Sequence, residues 1–543
     1  MSQDIDQRAH DTFPTDPAGL PEATRPGVRE LADGDVLDLR IAPLAKRLDD
    51  ATVRMLGYNG SIPGPTLRVR QGSEIVVRVA NDGDLESTVH WHGLRLENRF
   101  DGVPHETQIP IPVGGEFTYR LRFPDAGLYW YHPHVREDYG QELGLYGNII
   151  VEPADPEYWP AVHRDIVLTL DDVLVEDGTI AAFSRTETNF AAMGRFGNVL
   201  LIGGEPHATF TAQAGEVVRL YLTNTANTRV FNVALPGARM KLVGGDSGRY
   251  ERAEVVEQVL LAPSERAIVD VLFTAAGALT LEHRTPDRTY PLASVTVTAE
   301  PAEPSPASAF DAAHPAPELI AERRRMDAYL AMEPDKILAL VAEMDDMGEM
   351  AGDGPVVYAC PMHPEVTGTE PGRCPKCGMK LMSTSQDPSA TIHGHHGDDH
   401  PHDAPSDGIE WEDDMVEMNR MATTENMHWK LIDRTTGAEN HHIDWRFTVG
   451  QRVKIRLVNE LDSDHPMHHP FHIHGAGRFL VLARDGLAEP NLVWKDTVLV
   501  RTGQTVDILF DVTEPGLWMA HCHIAEHMQS GMMFSFTVDR ETK

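Results

Sequence analysis

Along most of the chain, β-branched and aromatic residues alternate with polar ones over five to eight positions, in runs closed by Gly, Pro, Asn or Asp. That alternation predicts half-buried strands. Three runs are copies of one pattern: Gly72-SEIVVRVA-Asn81, Gly215-EVVRLYLT-Asn224 and Gly450-QRVKIRLV-Asn459, each with an Asn nine residues after the Gly. Downstream of each lies a second shared piece, VGGEFTYRLRFPDAG ending at Gly127, APSERAIVDVLFTAAG at Gly277 and TGQTVDILFDVTEPG at Gly516. Repeated supersecondary units mean repeated domains, and short antiparallel strands between turns predict a β-sandwich or barrel in each. The expected limits are 29–155, 156–300 and 411–543, after a disordered tail over 1–28.

About 110 residues, 301–410, separate the second copy from the third, too many for an ordinary loop, so an insert is expected. It opens on the Pro/Ala-rich PAEPSPASAFDAAHPAP. Residues 318–347 read as two helices broken near Pro334, with ILALV as an apolar stripe and Met326, Met332, Met344, Met347 and Met350 nearby. Methionines at helical spacing are usually core filler, and soft-metal capture is the competing reading. Within 356–384, Cys360-x-x-His363 and Cys374-x-x-Cys377 have the spacing of a small Cys/His metal knuckle. Zn²⁺ would make it structural, whereas Cu(I) could also engage Met362 or Met379. A tract with His393, His395, His396, His400 and His402 follows, either spacer or metal collector.

Composition narrows the partners. Of 543 residues, 47 are Lys or Arg and 83 Asp or Glu; the net charge of −36 repels nucleic acid and anionic membrane and attracts cations. No run approaches the roughly 18 apolar residues of a spanning helix, and the first 30 residues lack the basic start and apolar core of a leader. The four cysteines, Cys360, Cys374, Cys377 and Cys522, all fall in metal-like spacings, which argues against a disulfide framework.

Chance places about one His-x-His pair in a chain with 27 His among 543 residues. Four occur at matching places in the first and third copies: His90-Trp-His92, His132-Pro-His134, His472-Ile-His474 and His521-Cys-His523. On a strand, residues i and i+2 share a face, so each pair offers two imidazoles to one side. Cys522 then faces away from both of its neighbours, toward a second site for which His469, His527 and Met532 are the candidate partners. Thiolate, imidazole and thioether together suit a copper that cycles between Cu(I) and Cu(II).

The motifs HWHG, HPH, HPFHIHG and HCHIAEHMQSGMM resemble the four copper motifs of multicopper oxidases, the laccase and copper-efflux oxidase family, over roughly 400 residues. The resemblance implies a mainly β fold of three cupredoxin-like Greek-key sandwiches with a small helical and metal-knuckle insert, the second sandwich holding no copper ligand. It implies four copper ions: type 1 on His469, Cys522, His527 and Met532; type 2 on His90 and His472; a type 3 pair on His92, His132, His134, His474, His521 and His523. The insert resembles the heavy-metal-binding module of copper and silver efflux proteins, which adds one Zn or Cu(I) on Cys360, His363, Cys374 and Cys377. Electrons would enter at Cys522 and reduce O2 to water. Asp101, in RFDGVP, matches a family acid that relays protons, although Asp-Gly is also a common turn pair. Met528 stands where several bacterial relatives carry Glu, which puts a proton route through that position in question.

Cu(I) oxidation in copper detoxification is the preferred activity, given the insert. The alternatives are a laccase acting on phenols and aromatic amines, and a copper-storage or chaperone protein. The family setting is periplasmic or extracellular; the missing leader leaves the cytoplasm open.

Overall fold

The computed structural model describes residues 12–304, 306–345, 357–363, 365–384 and 407–541. Three β-sandwiches account for most of them, pairing a five- with a four-stranded sheet in the first and a six- with a five-stranded sheet in the second and third. Each has its own apolar core between the sheets.

The repeats form the same strand each time. Glu74–Asn81, Val217–Asn224 and Arg452–Asn459 each pair antiparallel with the strand of the second shared piece, Glu116–Arg122, Arg266–Leu272 and Thr505–Val512. On the other side each pairs parallel with the first strand of its own sheet in chain order, Val36–Leu48, Arg164–Val173 and Lys336–Met344. The sheets are therefore mixed, where alternation suggested antiparallel pairing throughout. The Gly before each repeat strand turns the chain at φ +89°, +82° and +92°, a region that favours glycine. The Asn at its end is buried and ties two loops together: Asn81 Nδ2 donates to the carbonyls of Leu85 and Ile111, Asn224 to Arg229 and Leu261, Asn459 to Met467 and Val500. Each such bond contributes about 0.5–1.5 kcal/mol net.

The insert needs correction. Pro317–Leu330 is a helix, but the second helix expected before residue 347 is the strand Lys336–Met344. That strand is the third sandwich's own opening strand, between Met427–Asp433 and Arg452–Asn459. ILALV is apolar because a strand inside a sheet is covered on both faces, a pattern that periodicity cannot separate from a buried helix. Among the described residues the methionines do not form a helical metal trap: Met326 packs with Leu480, Leu492 and Trp494, Met344 lies in the third core, and Met332 is exposed. Met347, Met350 and the His393–His402 tract lie outside the described residues. The expected disordered tail is also corrected where it is described. Phe13 is buried and stacks on Tyr139 at 3.9 Å, and Glu22 and Thr24 bridge to Ala45 and Ser61.

The knuckle is a three-stranded sheet seated on the third sandwich. Met379 and Met382 enter that sandwich's core, and the Lys380 N–H donates to the Asp464 carbonyl at 2.9 Å. Among the described residues no helix is long and apolar enough to cross a membrane.

Candidate metal centres

Two hydrogen-bonded strand pairs carry the imidazoles. His90–His92 lies antiparallel to Gly127–His132 with His90 opposite His132, and His469–Ile473 lies antiparallel to Gly516–Cys522 with His472 opposite His521. The two pairs face each other across the junction of the first and third sandwiches. His92 stacks on His472 at 3.8 Å between ring centres, His90 lies 4.0 Å from His474, His134 5.2 Å from His521, and His132 5.1 Å from His523. All eight are buried. Ligand nitrogens fall within 4.8 Å of one another in the sets His90/His92/His132, His90/His472/His474 and His134/His474/His521.

The protons on these rings can be placed from their partners, because a carbonyl or ionised carboxylate only accepts. Nδ1–H of His90, His132, His472 and His521 donates to the carbonyls of Asp101, Pro133, Asp496 and Cys522 at 2.7–2.9 Å. His474 Nδ1 donates to Asp101 Oδ2 at 2.7 Å. The Nε2 atoms of His90, His132, His134 and His472 have no hydrogen-bond partner in the protein. Burial, and after it the neighbouring imidazoles, push His134, His472, His474 and His523 well below the usual histidine range, so these rings are neutral. His90 is the exception: burial opposes its charge, but Asp101 beside it raises it. Buried polar atoms are almost always satisfied, so converging, partnerless lone pairs on neutral imidazoles are the donor set of metal ions.

Cys522 points the other way, as alternation along a strand requires. Its Sγ lies 3.5 Å from His469 Nδ1 and 3.8 Å from His527 Nδ1, and those two nitrogens are 3.4 Å apart. Met532 is buried beside them, its carbonyl accepting from the Cys522 N–H and its N–H donating to the His527 carbonyl, both at 3.1 Å. Burial pushes the free Cys522 thiol up, so thiolate character there depends on a bound cation. These donors fit copper by softness and geometry.

In the knuckle, ligand atoms of Cys360, His363, Cys374 and Cys377 lie within 4.8 Å of one another. Cys360 Sγ is 3.5 Å from Cys377 Sγ, far beyond a disulfide bond length, and all four cysteines are free. The hydrogen bond between them pulls Cys360 down and pushes Cys377 up. Four ligands with no open position suit a closed, four-coordinate site.

Several residues around these sites were not foreseen. Trp429 stacks on His527 at 3.9 Å and meets His469 edge-on at 4.9 Å. His465 Nε2 lies 3.2 Å from Met193 Sδ. Glu137, which burial raises to about 7, places Oε1 3.1 Å from His132 Nδ1 and 3.6 Å from His523 Nε2. Only Glu137 had a signal in the chain: HPHVRE and HCHIAE both end in Glu, and Glu526, its counterpart in the third sandwich, is also raised to about 7 by burial. Met528 is buried and apolar.

Comparison with known proteins agrees with this geometry. Residues 43–156 and 412–542 each match a model described as multicopper oxidase, and 357–384 match a heavy metal binding domain. A multicopper oxidase of Mycobacterium tuberculosis is 27% identical over 541 residues, covering 94% of this chain and 88% of that protein. A copper resistance protein A homolog of Pseudomonas syringae pv. tomato is 25% identical, covering 95% and 94%. The structure of a Campylobacter jejuni multicopper oxidase, described as a metallo-oxidase, superposes with a TM-score of 0.62 at 22% identity, covering 97% of this chain and 99% of that one. Sheets, clusters and motifs together define a copper-dependent oxidase that reduces O2. The chain is similar to the multicopper oxidase and laccase family in its first and third sandwiches, and the third is interrupted by a region that matches a heavy metal binding domain.

Proposed function

We propose that this oxidase takes its electrons from cuprous ion. The observation that carries the reading is the line of soft donors between the knuckle and Cys522. The knuckle rests on Asp464 through Lys380, and Arg373 donates to the Ser463 carbonyl. A Cβ on Gly378 would touch Pro466 at 3.7 Å, so the module abuts the segment holding His465. His465 and Met193 present an imidazole beside a thioether, and Trp429 stands 5.8 Å from His465 while covering His469 and His527. Thiolate, thioether and imidazole are ligands that Cu(I) prefers. The charge of −36 also favours the approach of a cation.

In this reading His469, Cys522, His527 and Met532 hold the type 1 copper, His90 and His472 the type 2, and His92, His132, His134, His474, His521 and His523 the type 3 pair. When bound, the coppers supply one-electron transfer at Cys522 and four-electron reduction of O2 at the imidazole cluster. The protein keeps the two sets a few covalent bonds apart, since Cys522 is flanked by His521 and His523. Trp429 excludes water from His527. Asp101 holds the His474 ring through Oδ2, and its Oδ1, buried without a hydrogen-bond partner, is where a proton for reduced oxygen would be held. Four cuprous ions, one O2 and four protons give four cupric ions and two waters. Copper detoxification in the periplasm or outside the cell is the setting this reading implies.

The test is O2 uptake by the copper-loaded protein with Cu(I) and then with a phenol, in wild type and in a chain lacking 357–384. Faster uptake with Cu(I), lost selectively on removing the module, is expected. Brisk phenol turnover with sluggish Cu(I) would leave a laccase instead.

A further inference from the structure

The second sandwich holds none of the proposed copper ligands, yet one of its side chains reaches the imidazole cluster through a single intermediary. His92 is oriented differently from its neighbours. Where His90, His132, His472, His474 and His521 donate through Nδ1, His92 contacts Asp496 Oδ1 through Nε2 at 2.9 Å, and its Nδ1 is buried without a hydrogen-bond partner. A carboxylate only accepts, so the proton sits on Nε2 and the free lone pair on Nδ1. What holds Asp496 in place is Arg266. Its Nη1 and Nη2 donate to Asp496 Oδ1 and Oδ2 at 2.7 and 2.6 Å, a two-pronged match of planar groups.

Arg266 is itself held from all sides. Its Nε donates to the Leu128 carbonyl of the first sandwich at 2.9 Å and its Nη1 to the Ser264 carbonyl of the second at 2.9 Å, while Asp496 belongs to the third. The side chain is fully buried. Thr497 Oγ1 lies 3.0 Å from Asp496 Oδ1 and 3.1 Å from His472 Nδ1, so the same assembly steadies the ring stacked on His92. The glycine of HWHG is required here too. Gly93 sits at φ +85°, and a Cβ on it would run into Asp496 Oδ2 and approach Arg266 Nη2 to 2.8 Å. Arg266 also lines a cavity of about 360 Å³ between the second and third sandwiches.

We infer that Arg266 is a positioning residue for the imidazole cluster: through Asp496 it selects the His92 tautomer with Nδ1 free and fixes the ring's direction. The copper-free sandwich thus contributes to metal binding without supplying a ligand. The inference rests on the proposed reading of His92 as a ligand, and the two can fail separately.

The experiment measures copper per chain, the blue absorption of the Cys522 copper, and the melting temperature of the copper-free protein. His92→Ala tests the reading; full copper retention there would remove His92 from the ligand set. The pair Arg266→Met with Asp496→Leu tests the inference, because replacing both members of a buried ion pair by apolar groups of similar size spares folding. Expected is a copper-free melting temperature near wild type, retained blue absorption, and cluster copper bound at least about 10-fold more weakly. Arg266→Lys keeps the charge and loses the fork, and its copper affinity should fall between the two. Nitrogen-15 spectra of the copper-free imidazoles should show the His92 proton leaving Nε2 in the double variant. Wild-type copper affinity in the double variant would overturn the inference. So would parallel loss of both copper classes with a lowered melting temperature in both variants, which would make Arg266 a clamp between sandwiches.

Discussion

The imidazole cluster and the knuckle solve the same problem at opposite scales. The cluster gathers eight imidazoles from two strand pairs in two sandwiches, each with a core of its own, so the site stands before any metal arrives. The knuckle gathers its four candidate ligands within residues 360–377, in the turns between strands of two or three residues and over a core of little more than Cys360, Cys374 and Leu381. A core that small cannot offset chain entropy, so metal binding there supplies folding free energy. One site is built by the fold; the other helps to build its own.

The largest effect expected is at the link between the metal sets. Cys522→Ser should abolish the blue absorption and O2 uptake with every donor while the cluster keeps its copper, as metal analysis and an oxygen electrode would show. Surviving turnover would mean that electrons enter elsewhere. Next, Cys374→Ser or chelation should unfold the knuckle alone: one metal per chain is lost and limited proteolysis opens 357–384, while the main melting transition stays in place. If the sandwiches melt with it, the contrast between the sites is wrong.

His465→Leu probes the ground between them. Cu(I)-driven O2 uptake should fall on the order of tenfold, the effect of removing a group beside a metal site, with phenol oxidation unchanged. Equal losses for both donors would make His465 a packing residue. The smallest effect is electrostatic. Burial raises Glu142 from its ordinary 4.5 to about 8. The folded chain therefore keeps a proton that the unfolded chain loses above 4.5, and stability declines as pH rises between those values. Glu142→Gln, which can still accept the Leu174 N–H at Oε1, should flatten that decline in urea titrations of the copper-free protein. An unchanged slope would assign the pH dependence to other groups.

Much of this was legible beforehand because the chemistry is written in short spacings. Alternation placed the strands, and the threefold Gly-to-Asn repeat counted the sandwiches. His-x-His put two imidazoles on one face and Cys522 on the other, since a strand allows nothing else. The knuckle needed only four residues at local spacing. Reading ILALV as helix failed because a short apolar run looks alike in both structures until its neighbours are known.

What the sequence by itself determined, then, is the set of groups that can bind metal and the side of the strand each one faces, because both follow from residue type and local geometry. Tertiary structure alone decided which of those groups meet. It seated Lys336–Met344 inside the third sandwich, brought Met193 to His465 and Trp429 to His527, and passed Arg266 between sandwiches to Asp496 and His92. Each of these joins single residues far apart in the chain, and such contacts leave no periodicity or motif in the segments that make them.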